Sequence, residues 1–497
     1  MSKLPVLAWA VVLFIATLVL HTRHNEFPFY YHPDEPSKVE QVMGKRAWNF
    51  HHPMLLLSTT KLAATLTGAT TEQAVVEAGR WVSAAFTAFG IVAFSLLAML
   101  SRGRLAGVGV GLVLMLHHQL FELSHYMKED TALLFGLAVS ILAAHGYARH
   151  PSGWWALLLG VGGALAISGK YAGAMALLFV VAALYRSERW RRDAVTAGMA
   201  LALVFIAINL PLLRDMGTFS ASLARETLLV VEGQGLTQSV PHTRYWNVFL
   251  ANSTPAIWLL LLAALHGAWR RRKKIPFIEW VTLAFPFAYA LALSFSPKDN
   301  DRYFLPATAL LSVLAVVGAA EFARWFRNHE PLAERLAIAL LIAAQLPSWT
   351  EDRGGLVRYW QAFQRDDNAE LVEWLGKEVP ATALLAKDNK VRLPTARRHN
   401  EDAAPPPHKV LSAEYAADLG TLAELRAKQV AYVLITDSTF QKFESKSLKP
   451  KAKDATDFDR RKLFYAELRR EEPLVVQWPR STVIYLHPGI EVYRLAP

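Results

Sequence analysis

The sequence lacks cysteine, and it lacks the short motifs of several large enzyme classes. Without cysteine there is no disulfide, no thiolate metal site and no cysteine nucleophile. The chain also has no GxxxxGK[S/T], no GxSxG, no HExxH and no GxGxxG after a strand. These absences argue against nucleotide-driven, serine-hydrolase and zinc-protease mechanisms. The adjacent pairs His51-His52 and His117-His118 do not change this, because neighbouring residues on a helix point in different directions.

The chain is also short of acidic residues, with 42 Asp and Glu against 53 Lys and Arg, a formal net charge of +11. From Glu351 onward the sequence holds 24 basic and 22 acidic residues, so only +2 of this charge lies there. The other +9 lies in the short loops of an apolar region, where basic residues set the topology of membrane spans. The positive charge therefore does not predict a nucleic-acid partner.

Long apolar runs dominate the first 349 residues, which we predict to be a polytopic α-helical membrane domain (1–349). The remaining residues read as a soluble α/β domain (350–497). Runs of about 17 to 25 residues are long enough to cross a bilayer. The predicted spans are 4–21, 79–99, 105–122, 131–148, 153–168, 171–185, 194–213, 249–268, 276–295, 304–322 and 332–349. We expect the first to stay uncleaved, because no small-residue cleavage pattern follows it.

The loops give the expected orientation. With a cytoplasmic N-terminus, basic loops such as Arg102–Arg104 and Arg270–Lys274 fall inside, and acidic loops fall outside. About eleven spans would place the C-terminal domain on the outer (periplasmic or extracellular) face of the inner, or plasma, membrane. In the outer loops we expect an interfacial helix over 36–50, an apolar surface segment over 54–66 and a longer loop over 214–248.

The C-terminal region alternates helix and strand signals. Helices are predicted over 368–377 and 422–428, and strands over 383–386, 430–436, 474–477, 482–486 and 491–495. We expect mobile loops over 397–409 and 441–457.

Two acidic pairs fall on the predicted outer face, Asp34-Glu35 before the first interfacial helix and Glu129-Asp130 at the start of the fourth span. Acids at a helix N-terminus are stabilised by the helix dipole, so simple capping explains either pair alone. A carboxylate at the interface can also act as a general base on an attacking hydroxyl. Two such pairs around one cavity could also hold a divalent metal ion through oxygen ligands.

Basic and aromatic side chains accompany these acids on the outer side. A leaving phosphate needs positive charge as negative charge develops on it. The candidates for binding that phosphate are the basic residues Lys170, Arg302, Arg80, Lys128 and His52, together with the aromatic Tyr303. Snorkelling to the interface, or a local ion pair, explains each cation equally well.

Together these motifs resemble the GT-C glycosyltransferases, in particular the protein O-mannosyltransferases and the aminoarabinose transferases of lipid A. Asp34-Glu35 resembles the acidic motif of that family's first loop, and Ser168-Gly-Lys-Tyr171 its lysine-containing join. Similar segments stand in the same order elsewhere: 49–54, 79–83, 123–130 and 301–306. The sequence departs from the family at His52-Pro53, where the family has two prolines, and in its doubled second-loop acid.

The resemblance implies a transferase that moves a sugar from a polyprenyl-phosphate donor to a hydroxyl acceptor, with inversion and with no certain cofactor. Asp34 would be the base, Glu35 or Asp130 would orient the acceptor, and Lys170 and Arg302 would hold the phosphate. The loop residues Glu232, His242, Arg244 and Tyr245 are candidates for the acceptor entrance. The alternative is a transporter or flippase of lipid-linked substrates, for which we expect ionisable residues at mid-membrane and related halves.

Overall fold

The computed structural model describes residues 3–185, 187–232, 237–238, 255–296, 300–325, 331–347, 355–395, 405–445, 449–450 and 454–495. These residues form two compact units. The membrane unit comprises Met1–Asn25, Ser37–Glu232 and Pro241–Val357, and the C-terminal unit comprises Glu26–Pro36, Gly233–Val240 and Arg358–Pro497. The first-loop segment with Asp34 and Glu35 thus groups with the C-terminal residues.

The membrane unit is helical. Its helices are α1 (Lys3–His21), α2 (Glu35–Val42), α3 (Leu55–Thr67), α4 (Glu72–Arg102), α5 (Arg104–Met115), α6 (His118–Ser124), α7 (Glu129–Arg149), α8 (Gly153–Gly169), α9 (Leu177–Leu184), α10 (Trp190–Arg214), α11 (Met216–Glu232), α12 (Pro255–Arg270), α13 (Phe277–Ser294), α14 (Leu305–Trp325) and α15 (Pro331–Ala343). Short 3₁₀ turns at Tyr171–Ala176 and Asp301–Phe304 precede α9 and α14. Each predicted span overlaps one of these helices, which confirms the predicted polytopic helical fold.

Not every helix is long enough to cross a bilayer alone. Among the described residues six helices pass a length and hydropathy test, and α5 with α6, bent by 57°, makes a possible seventh. Helices α8 and α12 and the segment Tyr171–Leu184 are shorter apolar helices. Large apolar side chains on α1 and α10, such as Leu7 and Leu203, are exposed, as expected for surfaces that face lipid.

Helices α7 and α8 pack at backbone contact. A Cβ on Gly136 of α7 would lie 2.1 Å from the Ala166 backbone nitrogen in α8. A Cβ on Gly169, at the end of α8, would lie 2.6 Å from the Leu133 nitrogen. Small residues let helix backbones approach this closely, which replaces the hydrophobic driving force that lipid removes.

Two predictions for the outer segments are wrong. The helix predicted over 36–50 ends at Val42, because Gly44 follows with φ +73°, a conformation that ends a helix. The predicted loop over 214–248 begins with helix α11. Asp215 caps that helix by accepting a hydrogen bond from the Thr218 amide at 3.1 Å.

The C-terminal unit is an α/β domain. Its helices are α16 (Leu356–Ala362, which begins in the membrane unit), α17 (Asp367–Glu378), α18 (Leu422–Ala427), α19 (Asp437–Glu444) and α20 (Ala455–Glu471). Its strands are β1 (Thr237–Gln238), β2 (Leu384–Asp388), β3 (Lys409–Ala413), β4 (Val430–Thr436), β5 (Lys449–Pro450), β6 (Leu474–Trp478) and β7 (Ile490–Arg494). The main sheet has the order β3-β2-β4-β7-β6, and β1 pairs with β5 in a two-stranded ribbon.

The first three strands of the main sheet run parallel, and β7 pairs antiparallel with both β4 and β6. Apolar side chains cover both faces of β4, with Val433 and Ile435 in one cluster and Leu434 in the other. The chain leaves β2 for β3 on one side and then returns to β4 on the other side. The carboxyl ends of β2 and β4 therefore meet at a topological switch point, where open α/β sheets commonly bind ligands.

The predicted α/β character of this region is confirmed, with local differences. The strand predicted over 482–486 is a series of turns. Of the two predicted loops, residues 397–404, 446–448 and 451–453 lie outside the described residues. The described part of the first loop ends at the start of β3, and that of the second contains the end of α19 and the start of α20. Strand β3 was missed because its burial is weak and irregular, which leaves no clear two-residue alternation in the sequence.

Candidate active site

Two buried acids stand side by side in the first turn of α7, and each contacts a different lysine. Lys38, from α2, donates to both carboxylate oxygens of Glu129, at 2.7 and 2.8 Å, and to the Met127 carbonyl at 2.7 Å. Both side chains are buried. Because an unpaired charge is costly to bury, each partner of this pair stabilises the other.

Asp130 holds the second lysine. The Lys170 Nζ lies 2.7 Å from the Asp130 Oδ1, and the Arg302 Nε lies 3.9 Å from its Oδ2. The Lys170 ammonium also stands over the Tyr303 ring, 4.6 Å from its centroid. Four predicted site residues thus converge, from α7, from the join after α8 and from the turn before α14. Of the two second-loop acids, Asp130 is the one that contacts the predicted phosphate-binding cations.

The contact between Lys170 and Asp130 depends on the close packing of α7 and α8. Lys170 follows Gly169, whose missing side chain allows the end of α8 to lie against Leu133, three residues after Asp130. Lys170 itself has extended backbone geometry, with φ −159° and ψ 146°. It therefore turns away from the helix axis with its side chain beside the first turn of α7.

A buried asparagine fixes the same join from a third helix. Asn209 lies where α10 departs from helical geometry, two residues before Pro211, which cannot donate a backbone hydrogen bond. Its Nδ2 donates to the Ser168 Oγ at 2.7 Å, and its Oδ1 accepts from the Met54 amide at 3.0 Å. The Tyr171 hydroxyl donates to the Phe50 carbonyl at 2.8 Å. The Lys170 join and the segment after Phe50 are therefore held together from both sides.

The histidine pair lies in this segment. His51 Nδ1 is 3.9 Å from a Glu226 carboxylate oxygen of α11. His52 is half-buried, and burial lowers its pKa to about 4 despite the neighbouring charge of Glu129, so it is neutral at pH 7. A neutral imidazole can donate or accept a hydrogen bond, but it adds no charge toward a phosphate.

Two predicted phosphate-binding residues are deeply buried. The Arg80 guanidinium donates to the Asn25 carbonyl at 2.6 Å and is fully buried. Lys128 precedes α7, and its amide donates to the Ser83 Oγ at 3.1 Å. Arg80 therefore has a structural role, because it binds the backbone just after α1.

Asp34 and Glu35 belong to the C-terminal unit, and buried His32 organises their turn. The His32 Nδ1 accepts from the Asp34 amide at 3.1 Å, and its carbonyl accepts from the Glu35 amide at 3.2 Å. The His32 ring packs on Tyr485 with 4.4 Å between centroids. Asp34 is half-buried and Glu35 is fully buried.

The same segment is tied to the C-terminal residues through Tyr31. Its hydroxyl donates to the Asp366 Oδ2 at 2.8 Å, and Asp366 caps α17 through the amides of Asn368 and Ala369. The turn that presents Asp34 thus has fixed geometry. Nothing in the spacing of the sequence predicted that this turn would pack on residues more than 300 positions away.

The predicted acceptor residues are described only in part. Glu232 is the exposed last residue of α11. His242, Arg244 and Tyr245 lie outside the described residues.

The described residues contain no group of three or more His, Asp or Glu side chains close enough to hold a metal ion. Glu129 and Asp130 instead have ammonium partners, which supply the positive charge that a divalent cation would bring.

Sequence reasoning missed Lys38, Asn209 and Glu226. Lys38 and Glu226 are ordinary polar residues of amphipathic helices, and their spacing carries no signal. Asn209 does carry a sequence signal. An Asn two residues before a Pro inside an apolar run indicates a helix kink, where backbone polar groups lack helical partners.

Comparisons with known proteins concern the family and the fold. Residues 31–223 match the family model described as dolichyl-phosphate-mannose-protein mannosyltransferase. No curated protein sequence matches the chain.

Two solved structures share the fold. The structure of ArnT from Cupriavidus metallidurans bound to undecaprenyl phosphate has a TM-score of 0.51 and 13% identity, covering 99% of this chain and 98% of that one. The Archaeoglobus fulgidus oligosaccharyltransferase tethered to an acceptor peptide has a TM-score of 0.50 and 10% identity, covering 87% and 69%. The chain therefore combines a match to a mannosyltransferase family model over residues 31–223 with an ArnT-like fold, which agrees with the predicted resemblance to the GT-C glycosyltransferases.

Proposed function

We propose that this membrane protein transfers a sugar from a polyprenyl-phosphate donor to a hydroxyl group of an acceptor, with inversion at the anomeric carbon. The observation that carries the proposal is the convergence of Lys170, Arg302 and Tyr303 on Asp130 at one end of the spans. In support, the ArnT structure with the same fold has undecaprenyl phosphate bound. Because the basic loops are assigned to the cytoplasmic side, we place the reaction on the opposite, outer face of the inner membrane.

The donor phosphate takes the place of a carboxylate as partner of the two cations. In the structure Lys170 and Arg302 are both turned toward Asp130. A phosphodiester carries one negative charge, and the leaving polyprenyl phosphate acquires a second. The attraction to Lys170 and Arg302 therefore grows as the bond to the sugar breaks, which lowers the barrier rather than merely tightening binding.

Asp34 is the proposed base. It takes the proton from the acceptor hydroxyl while that oxygen bonds to the anomeric carbon, and the carbon–oxygen bond to phosphate breaks with its electron pair leaving on the phosphate. The half-buried carboxylate on the fixed turn of His32 suits this role, because a base must be reachable and oriented. Glu35, which is fully buried, is proposed to hold the turn.

The test is sugar transfer by the full chain in lipid, from a pool of polyprenyl-phosphate sugars, comparing the wild type with Asp34→Asn. Loss of a general base lowers the rate by roughly 10²–10⁴-fold, while donor binding stays largely intact. The control is Asp459→Asn, which removes an exposed carboxylate of α20 and leaves the rate unchanged.

The alternative is a transporter or flippase. If the wild type moves lipid-linked sugar across the bilayer but transfers it to no acceptor, and Asp34→Asn alters neither, the transferase proposal fails. Transfer by the wild type that survives Asp34→Asn would keep the reaction and reject the base.

A further inference from the structure

A cluster of cationic side chains lies at the carboxyl edge of the C-terminal sheet, at its switch point. Lys390 and Arg392 come from the segment after β2, Lys442 from α19, and Arg480 from the segment between β6 and β7. The proposed transferase chemistry uses none of them. Three separate parts of the chain thus bring positive charge to one place.

Lys390 bridges the crevice between the two parallel strands. Its Nζ donates to the Ser438 carbonyl at 2.9 Å and lies 3.4 Å from the Ser438 Oγ, in the first turn of α19. Lys390 follows β2 by two residues, and Ser438 follows β4 by two. The half-buried ammonium therefore lies over the switch point itself.

Arg480 is held against the same turn from the other side. Its guanidinium donates to the Gln441 Oε1 at 3.0 Å. The amides of Asp437 and Ser438 donate to the carbonyls of Gly489 and Pro488, which docks the start of α19 on the segment that also carries Arg480.

Gly489 allows this docking. It has φ +73°, and a Cβ there would lie 2.5 Å from the Asp437 Cβ and 2.9 Å from the Arg480 Cβ. Any other residue would push Arg480 and α19 apart. The position of the cations is therefore built into the backbone.

The cations of the cluster are close enough to lower the pKa of Lys390. Burial, and then the neighbouring charges of Lys442, Arg480 and Arg392, lower the pKa of Lys390 to about 7, against the opposite effect of Asp388. Two acids are near, Asp388 and Asp437. The oxygens of Asp388 already accept hydrogen bonds from the Ala416 and Thr436 amides and the Tyr465 hydroxyl. Glu444 also faces Asp437, but it is paired with Arg469. Among the described residues, the four cations of the cluster therefore outnumber the remaining acids, Asp388 and Asp437.

We propose that this cluster binds a phosphoryl group, carried by a soluble phosphate monoester or by a lipid headgroup. Lys390 and Arg480 flank the group across the first turn of α19, and Arg392 and Lys442 add charge at its edge. Planar guanidinium groups and ammonium groups are the usual protein partners of phosphate. The site shares no residue with the proposed donor-phosphate site, and it does not rest on the proposed transferase activity.

The experiment measures the reactivity of Lys390 in the full chain. An amine-acylating reagent is applied near neutral pH with and without inorganic pyrophosphate or glucose 1-phosphate, and mass spectrometry gives the labelling rate of each lysine. A bound dianion raises the pKa of the ammonium by about one unit, so the neutral amine fraction, and with it the labelling of Lys390, falls roughly five-fold near neutral pH. Lys377, exposed and paired with Glu373 on α17, is the control and keeps its rate.

A double variant tests whether the other cations of the cluster take part in binding. Lys442→Gln with Arg480→Gln leaves Lys390 and Gly489 in place, and it abolishes the protection by pyrophosphate while the labelled lysine remains. Lys170→Met, in the membrane unit, leaves the protection unchanged. Labelling that is insensitive to both soluble phosphates and to anionic lipid, or protection that survives in the double variant, overturns the proposal.

Two membrane compositions distinguish the sources of phosphate. The labelling is repeated in nanodiscs of neutral phosphatidylcholine and in nanodiscs that contain phosphatidic acid. Protection by phosphatidic acid without added phosphate assigns the site to a lipid headgroup, whereas protection only by the soluble compounds assigns it to a phosphate monoester.

Discussion

Buried carboxylates in the two units of this protein, Glu129 and Asp130 in one and Asp388 in the other, are held in opposite ways. In the membrane unit Glu129 and Asp130 contact the ammonium groups of Lys38 and Lys170. In the C-terminal unit the donors to the oxygens of the fully buried Asp388, among the described residues, are neutral: two backbone amides and the Tyr465 hydroxyl. Burial raises the pKa of Asp388 to about 6, against the effect of those donors.

This difference indicates which buried charged groups can bind a ligand. A cation that holds a buried acid can exchange that acid for a ligand of the same charge, as we propose for Lys170 and a donor phosphate. Asp388, held by backbone and tyrosine, has no such exchange and ties three elements of the domain together. The paired charge at Asp130 therefore indicates a binding site, whereas the neutral hydrogen bonding of Asp388 indicates architecture.

The largest expected effect tests the paired charge. Lys170→Met should lower the rate of sugar transfer by roughly 10²–10³-fold, the usual cost of removing one group that stabilises developing negative charge. Transfer assays in reconstituted lipid measure it, with Lys377→Met as the matched control on exposed α17. A variant with nearly normal kcat would mean that Lys170 only neutralises Asp130.

The next effect tests whether backbone packing places that lysine. Gly169→Ala puts a methyl group 2.6 Å from the Leu133 nitrogen, so α8 must move away from α7. A displacement of about 1 Å at a catalytic group can lower a rate by about 10²-fold, so a 10- to 10²-fold loss of transfer is expected.

Gly198→Ala on α10 is the control for Gly169→Ala, because no atom lies within 4 Å of a Cβ there. Equal rates for the two glycine variants would show that the site tolerates the movement of α8. The close approach would then serve only helix packing.

A third prediction concerns the neutral hydrogen bonds of the C-terminal unit. Asp388→Asn places an amide donor against at least one of its present donors, which should destabilise the unit by about 2–4 kcal/mol. Hydrogen exchange of the β4 amides in the full chain reports this local stability.

Asp459→Asn, an exposed change on α20, should leave the exchange of those amides unaltered. If Asp388→Asn also leaves it unaltered, Asp388 is not an architectural group and the contrast between the units is lost.

The smallest effect is pH-dependent. Although burial opposes it, the hydrogen bond to Asp367 raises the pKa of His487, whose ring also contacts the Ala362 carbonyl at 2.7 Å. A raised pKa in the folded state means stability that is complete below the ordinary value of 6.5 and is lost as pH rises through the folded value. The C-terminal unit should therefore exchange its amides faster as pH rises above neutrality, after correction for intrinsic exchange.

His487→Gln should flatten that dependence and cost about 1.5–3 kcal/mol at acid pH, the range for a hydrogen bond to a charged group. His150→Gln, at an exposed position after α7, is the control. A pH dependence that is identical in wild type and His487→Gln assigns it to other groups, such as Asp366 or Asp388.

Much of the architecture follows from local patterns. Each predicted span overlaps a helix because a long, mostly apolar run has few alternatives in a bilayer. Strand β4 was predicted at its true bounds, since seven consecutive residues of Val430–Thr436 are mostly β-formers buried on both faces. Strand β3 was missed because its apolar pattern is weak. Helix α11 was missed because glycines and a proline of the segment 214–248 follow the helix and do not interrupt it.

The candidate site was predicted less completely. The acids, Lys170 and Arg302 stood out as charged residues at the ends of apolar runs, and the structure brings Asp130, Lys170, Arg302 and Tyr303 together. Lys38 and Asn209 were not found, because their partners lie 91 and 155 positions away. Whether Asp34 and the phosphate-binding residues have the assigned roles stays a prediction for the transfer assays.

The sequence by itself determined that the chain is a polytopic helical membrane protein with an α/β C-terminal region, and that acids and cations stand between its apolar runs. Those properties depend on composition and on periods of two and 3.6 residues, which local physics decides. Only the tertiary structure decided which acid meets which cation, that Gly169 and Asn209 position Lys170, and that Lys390 and Arg480 flank one turn of α19. Ion pairs and close backbone approaches join residues far apart in the chain, and their partners become defined only when the helices and strands have packed.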